Sequence, residues 1–415
     1  MVTAPAIKVK RQAAAAASSS SRGINDDVVT EILLRLPCAA VLRSRAVCKT
    51  WRRITTSTAF GADHARRQPL ELILHRHRHG PSTSSALETI PLATLDEASG
   101  LRLHVQHPEH ATPPKPATSG YDLALVASCD GLLLFEKGPS GRPDYSVSVC
   151  NPVTRQWAEV PRPPGTWVLS CGFYAHKPSG EHRILWLSNA QQGSHYVSSL
   201  EAAGGARRLG PAPTYVPLCV EPPLHHVTLH GVLHWLCYPG VLLPMDDGPC
   251  PEPKERGKIV AFDTLSETFR RMSRPPRRRD GGHCGELFLL EVGGMLAVAD
   301  FLNGSMDLWV MEDYDDGASW RRRLRVDLPS QLRGACWAMG ARVEGRRDVI
   351  LLGDRGRCWV ALYDVTEKRV VKQIQLGTEG WRNRRNVFVF RDSVERHAFF
   401  DLHDPQGVPV LDQRS

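Results

Sequence analysis

The 415-residue sequence predicts an α+β multidomain protein: a small N-terminal all-α helical module, then a large all-β domain of β-propeller type. Three observations carry this prediction. Apolar residues recur at helical spacing from residue 28 to 36 and stop at a proline. From about residue 69 the hydrophobic period changes from 3.6 to 2. A polar turn of one kind then recurs at about two units of 50 residues, and Phe269, Trp320 and Val370 stand 51 and 50 residues apart.

Composition sets the outer limits. Apolar residues make up 42% and charged residues 23%, which is ordinary for a globular protein and excludes wholesale disorder. No apolar run approaches the roughly 18 residues a membrane helix needs. The eleven cysteines are odd in number and form no C-x-x-C pair. Several, such as Cys150, Cys237 and Cys358, sit in apolar stretches. Reduced, buried thiols of a cytoplasmic or nuclear protein are expected, not a disulfide framework.

The formal net charge of +8 is concentrated at one end. Residues 1–67 hold twelve Lys/Arg against four acids, and the remaining 348 residues hold 40 of each. The small N-terminal part can therefore attract an acidic partner, whether an acidic protein or a phosphate backbone.

Residues 1–21 are rich in Ala and Ser and are expected to be a disordered tail. Asn25 is a good helix N-cap, and Asp26 and Asp27 suit the positive end of the helix dipole. Val28, Val29, Ile32, Leu33 and Leu36 follow on one face, and Pro37 ends the helix. A second helix is expected from Ala39 to Val47 and a third from Lys49, carrying Trp51 and Ile54. Forty helical residues have little interior of their own, so these apolar side chains either cover the next domain or meet another protein. Residues 22–62 make up this module. Residues 63–120 are expected to hold a first strand (Leu70–Leu74), long loops and almost no helix. The β domain spans 121–395, and 396–415 is expected to be a tail.

The repeat is legible in three stretches, which open at Asn151, Asp263 and Asp364. In each, an Asx residue opens a turn and an apolar residue stands six positions later: Trp157, Phe269 and Val370. A glycine followed by an apolar strand lies upstream at Gly131, Gly231 and Gly294. Pro244 to Lys258 reads as an insertion. About five units fit into 121–377, and strands near 70–74 and 386–390 would close a sixth. Propellers keep so much strand soluble because radial repetition leaves only short edges. A pair of β-sandwiches is the alternative.

The helical stretch 24–60, which opens INDDVVTEILLRLPCAAVLRSRAVCKTWRRIT, resembles an F-box, with Val47, Cys48, Lys49 and Trp51 as its most specific piece. CDGLLLF (129–135), CNPVTRQW (150–157), HGVLHWL (230–236) and IVAFDTLSETF (259–269) resemble the F-box-associated domain of plant F-box proteins. The resemblance implies a substrate-recognition subunit of an SCF-type ubiquitin ligase. Ile24, Ile32, Leu33, Leu36, Pro37, Leu42, Val47 and Trp51 would bind a Skp1-like adaptor and through it a cullin. The β domain would hold a protein substrate. Two departures stand out: Ile24-Asn25 replaces the usual Leu-Pro, and Ser44 stands where a large apolar residue is common.

Such a receptor catalyses nothing and needs no cofactor or metal. Nucleotide-binding loops, G-x-S-x-G and H-E-x-x-H are absent from the sequence. His75, His77 and His79 alternate with arginines and read as a solvated edge, and His230 and His234 with Cys237 match no zinc spacing. Two other classes compete. A nucleic-acid-associated protein would use the basic N-terminal region but lacks interleaved aromatic residues. A propeller-fold enzyme would need acids or histidines converging on the central channel.

Overall fold

The computed structural model describes residues 25–77, 85–93, 102–106, 123–138, 145–165, 168–188, 194–202, 204–210, 226–236, 258–276, 279–280, 283–284, 286–316, 319–330, 332–333, 335, 337–343, 346–353, 359–375, 387–402 and 410–412. The expected N-terminal tail, Ile24 and most of the 244–258 insertion lie outside these residues.

Four helices open the chain: α1 (Asp26–Leu33), α2 (Cys38–Ser44), α3 (Lys49–Thr55) and α4 (Thr58–Arg67). Asn25 caps α1 as expected, its side-chain oxygen accepting from the Asp27 N–H at 3.2 Å. Pro37 stands at the start of α2, where a fixed φ and a missing N–H cost nothing. Helix α4 runs past the boundary expected at residue 62. Its apolar content is only Phe60 and alanines, so helical periodicity gave no warning. Ser57 caps it by accepting from the Phe60 N–H at 3.3 Å.

Six sheets of four or five strands follow, and together they form a six-bladed propeller. The first sheet holds β1 (Glu71–His77), β2 (Ser85–Pro91) and β3 (Arg102–Gln106). The second holds β4 (Leu123–Cys129), β5 (Leu132–Lys137), β6 (Ser146–Asn151) and β7 (Gln156–Glu159). The third is β8 (Val168–His176), β9 (Glu181–Ser188), β10 (Ser194–Ser199) and β11 (Arg207–Arg208). The fourth is β12 (Val227–Leu229), β13 (Val232–Leu236), β14 (Ile259–Asp263) and β15 (Thr268–Met272). A short pair, β16 (Arg279–Asp280) and β17 (His283–Cys284), precedes the fifth sheet, β18 (Glu286–Val292), β19 (Met295–Leu302), β20 (Ser305–Met311) and β21 (Trp320–Asp327). The sixth is β22 (Trp337–Val343), β23 (Arg346–Gly353), β24 (Trp359–Asp364) and β25 (Arg369–Gln375). The chain then returns to the first sheet with β26 (Val387–Phe390), adds a short helix α5 (Phe399–Leu402) and ends on β27 (Val410–Asp412).

Ring closure is antiparallel and joins the two ends of the chain. Leu72 pairs with Val389 and Leu74 with Val387, so β26 becomes the inner strand of the first sheet. The inner strands neighbour one another around the ring: β26 beside β4, β4 beside β8, β12 beside β18, β18 beside β22. Each of the six seams between blades has its own apolar core. Trp186 and Phe173 pack with Leu134 and Val147 across one seam, and Trp235 and Phe262 with Leu185 and Leu187 across the next. Two face-to-face sandwiches would instead put their cores between paired sheets. The seams therefore decide for the propeller.

The Asx repeat marks the entry to the fourth, outer strand of a blade. Asn151 Oδ1 accepts from the N–H groups of Val153 (3.0 Å) and Thr154 (3.1 Å). Asp263 accepts from Leu265 and Ser266, both at 2.8 Å, and Asp364 from Thr366 and Glu367, both at 2.9 Å. The upstream glycines sit in two-residue hairpin turns with both central φ values positive. Asp130 and Gly131 have 47° and 82°, and His230 and Gly231 have 52° and 79°.

Two further expectations are revised. The region 63–120, read largely as loops, supplies β2 and β3 of the first blade. Residues 396–415, read as a tail, contribute α5 and the edge strand β27. Phe399 and Phe400 of α5 are buried against the seam between the second and third blades. His75 and His77 lie in β1 as a strand should place them, and His79 is outside the described residues.

Candidate adaptor-binding surface

The helical module divides its apolar side chains between an inner and an outer face. Val29, Leu33, Leu34, Cys38, Val41, Ile54 and Phe60 form a buried core that also takes in Val394 from the far end of the chain. Val28 (50% exposed), Ile32 (46%) and Val47 (63%) remain outside it. They are three of the four large hydrophobic residues exposed among the described residues, Leu265 being the other. The α1 stripe is thus split, one flank turned into the module and the other left exposed.

The sequence-predicted contact residues sort by this division. Ile32, Pro37 and Val47 are exposed, whereas Leu36, Leu42 and Trp51 are half-buried at the edge of the core. Ile24 is outside the described residues. Leu33 is a correction: it is 0% exposed and packs within the module, leaving no surface for a partner. Ser44 also changes meaning. It is buried, its hydroxyl donates to the Val41 carbonyl at 2.6 Å, and so its small size suits the interior of the module. Val28 was read from the sequence as part of the apolar stripe but not as a contact residue. Burial of Val29 beside it is what leaves Val28 outward, and periodicity alone does not say which flank of a wide stripe turns in.

Internal ion pairs engage three of the four acids of the module, Asp27 instead meeting the Asn25 side chain. Asp26 pairs with Arg53 at 2.6 Å, Glu31 with both terminal nitrogens of Arg67 at 3.1 and 3.2 Å, and Asp63 with Arg66. Exposed pairs of this sort contribute little stability each, about 0–1 kcal/mol. They leave Arg35, Arg43, Lys49 and Arg52 exposed on the same module as Ile32 and Val47. The exposed side chains of the module therefore include both large apolar and positively charged ones.

The turn that carries Leu36 and Pro37 is fixed from behind. His64 of α4 is fully buried, stacks on Phe60 (ring centroids 5.6 Å apart) and lies 2.8 Å from the Leu36 carbonyl through Nε2. Burial holds its pKa below the usual histidine range. A neutral ring donating Nε2–H to that carbonyl fits this environment. His64 lies beyond the predicted module boundary, so the sequence did not offer it.

The module is seated on the propeller through residues 391–395. Arg45 donates to the carbonyl oxygens of Thr55 (2.9 Å) and Val394 (2.8 Å). Val153 of the first Asx turn also packs against the helical core. Beneath Cys38 lie Asp392 and Glu71. Burial and the neighbouring Glu71 charge push the Asp392 carboxyl up to about 7.

The other chemical candidates become structural. His234 is buried, with Nδ1 3.1 Å from the Val227 carbonyl and Nε2 2.6 Å from the Tyr314 hydroxyl, a satisfied core histidine. Cys150 and Cys171 are buried free thiols, and burial raises both well above the usual cysteine range. Such thiols are poor nucleophiles. Among the described residues no helix is long and apolar enough to cross a membrane.

Comparison with known families matches this division of the chain. Residues 23–62 match the F-box domain, and residues 99–395 match the F-box associated β-propeller domain. The chain belongs to the F-box proteins with an associated propeller. Similar relatives come from Arabidopsis thaliana. F-box protein At4g19940 is 25% identical over 405 residues, covering 89% of this chain and 90% of the relative. F-box protein At5g49610 is 25% identical over 314 residues, covering 70% and 75%. F-box/kelch-repeat protein At3g23880 is 21% identical over 312 residues, covering 72% and 78%. In this F-box protein the matched F-box ends inside α4, which continues to Arg67.

Proposed function

We propose that this F-box protein is the substrate receptor of an SCF-type ubiquitin ligase. Its helical module docks on a Skp1-like adaptor linked to a cullin, and its propeller holds a protein substrate. The observation that supports this reading best is the exposure of Val28, Ile32 and Val47 on a module whose other large apolar residues are largely withdrawn. Ile32 and Val47 serve as central anchors, with Leu36, Pro37, Leu42 and Trp51 at their margin. Arg35, Arg43, Lys49 and Arg52, exposed on the same module, speed encounter with an acidic adaptor. A few buried anchors carry most of the energy of such interfaces.

The receptor contributes position in place of chemistry. Holding a substrate beside a ubiquitin-charged enzyme raises its effective concentration, typically to about the millimolar range. No side chain of the receptor has to react with substrate for this to accelerate transfer.

The test is capture of the full chain by a purified Skp1-like adaptor. Ile32→Asp with Val47→Asp should abolish capture and leave the unfolding midpoint almost unchanged, because both positions are exposed. Leu36→Asp with Pro37→Ala should also abolish it. Equal recovery of the wild type and the Ile32/Val47 variant would end this reading.

A further inference from the structure

The strap at residues 391–398, between β26 and α5, has no regular structure, yet it is held from several sides. Asn151 Nδ2 donates to the carbonyl oxygens of Ser393 (3.2 Å) and Glu395 (3.4 Å). At the far end of the strap, His397 is 7% exposed, stacks on Phe399 with ring centroids 5.3 Å apart, and meets His182 edge-on at 4.9 Å.

His182 is the second residue of β9 and is 5% exposed. Glu201, just past β10, uses both carboxylate oxygens on it. One accepts from the His182 backbone N–H at 2.9 Å and the other lies 3.2 Å from Nδ1. A ligand atom of each of His182, Glu201 and His397 lies within 4.8 Å of the other two. The Nε2 atoms of His182 and His397 are both buried and have no hydrogen-bond partner.

We propose that His182 and His397 bind one divalent transition-metal ion of the zinc type through their Nε2 atoms, with Glu201 orienting the His182 ring, and that the ion fastens the C-terminal strap to the third blade. Buried polar atoms in folded proteins are nearly always satisfied, so two orphaned imidazole nitrogens on touching rings need an account. Glu201 supplies part of it. A carboxylate accepting Nδ1–H fixes the tautomer whose Nε2 carries the lone pair, and metal-binding histidines are commonly oriented this way. Neutral imidazole with a carboxylate suits zinc, whereas calcium and magnesium favour all-oxygen sets. A further donor is within reach: ligand atoms of Cys129, Asp130 and His182 also lie within 4.8 Å of one another. The bland account makes both rings aromatic filler beside Phe173 and Phe399. It explains the packing and leaves both Nε2 atoms unexplained.

The consequence reaches the helical module. The same strap carries Val394, which belongs to the core of that module. An ion at His397 would stiffen the seat of the F-box without touching the adaptor surface, so this inference stands apart from the adaptor reading.

The experiment uses the full chain, stripped with a chelator and titrated with zinc chloride against a fluorescent competitor. Metal content and the unfolding midpoint are followed together. The expected result is about one zinc per chain and a midpoint that rises with zinc. His182→Phe with His397→Phe keeps the aromatic packing and should lose both signals. Glu201→Gln should weaken binding about 10–100-fold. Zinc binding and stabilisation that persist in the double variant would overturn the proposal. If that variant does not fold, cobalt(II) loading of the wild type decides. Tetrahedral visible absorption supports the site, with a sulfur charge-transfer band only if Cys129 joins it. Failure of the wild type to hold cobalt or zinc overturns it.

Discussion

The Arg45 guanidinium lies 2.8 Å from the carbonyl oxygen of Val394, a residue 349 positions further along the chain. The same nitrogen reaches the Thr55 carbonyl at 2.9 Å, so one side chain joins α2, the end of α3 and the strap behind the closing strand. The F-box is therefore bonded, as well as packed, to the propeller. Burial and nearby Arg396 pull the Arg45 pKa down, but an arginine starts so high that the charge is kept.

Replacing Arg45 should loosen the seat without unfolding the propeller. Hydrogen bonds from a charged donor contribute about 1.5–3 kcal/mol. Arg45→Met is expected to lose about that much, with faster hydrogen exchange confined to residues 25–67. Exchange rates equal to the wild type in that segment would show that the bond does not restrain the module.

Adjacent positions on α1 should part company. Leu33→Ala removes a fully buried side chain and should cost about 2–5 kcal/mol in denaturant unfolding. Ile32→Ala, at an exposed position, should stay within about 0.5 kcal/mol of wild type while weakening adaptor capture. The reverse ranking would mean that the helix is rotated from the orientation described.

Gly340 of β22 is expected to tolerate no side chain. A Cβ built there would collide with the carbonyl oxygen of Glu291 on β18, the inner strand of the neighbouring blade. Glycine in a strand often marks such close approach of two backbones. Gly340→Ala should destabilise by about 1–3 kcal/mol or more, because blade backbones cannot yield as a flexible side chain can. Differential scanning calorimetry checks this, and an unchanged transition would contradict the spacing.

His195 should make stability fall on acidification. It is buried against Phe269, neither ring nitrogen has a hydrogen-bond partner, and burial lowers its pKa from 6.5 to about 4. The unfolded chain takes up a proton below pH 6.5, whereas the folded state resists until about pH 4. The stability contributed is present above 6.5 and is lost as pH falls through that window, on the order of 3 kcal/mol. Asp392 acts in the opposite sense, since its raised pKa favours the folded state at low pH. Comparing wild type with His195→Phe isolates the histidine. Parallel stability curves between pH 6.5 and 4 would contradict its neutral burial.

Local chemistry was legible wherever a short stretch decides its own conformation. The Asn25 cap and the three Asx turns hold because the bonding groups are two or three residues apart, whereas α1 ends at Leu33, before Pro37, which stands at the start of α2. Strand identity was legible by its period, and the repeat was legible because the second, fourth and sixth blades carry the same Asx turn before their outer strand. Helix α4 and strands β2 and β3 were missed, because their sequences are polar, short or flanked by prolines. The role of α5 was missed because the two phenylalanines of a four-residue helix look like any surface pair until a seam covers them.

Amino-acid order alone determined that this chain has a helical head, a repeating β body and the residue signature of its family, since periodicity, caps and turns act over a few residues. Only the tertiary structure decided which flank of the α1 stripe turns inward, placing Leu33 inside and Ile32 outside. It alone brought Arg45 to Val394, and His182 to His397. Those relationships join segments more than 200 residues apart, and they exist only once the ring has closed on β26.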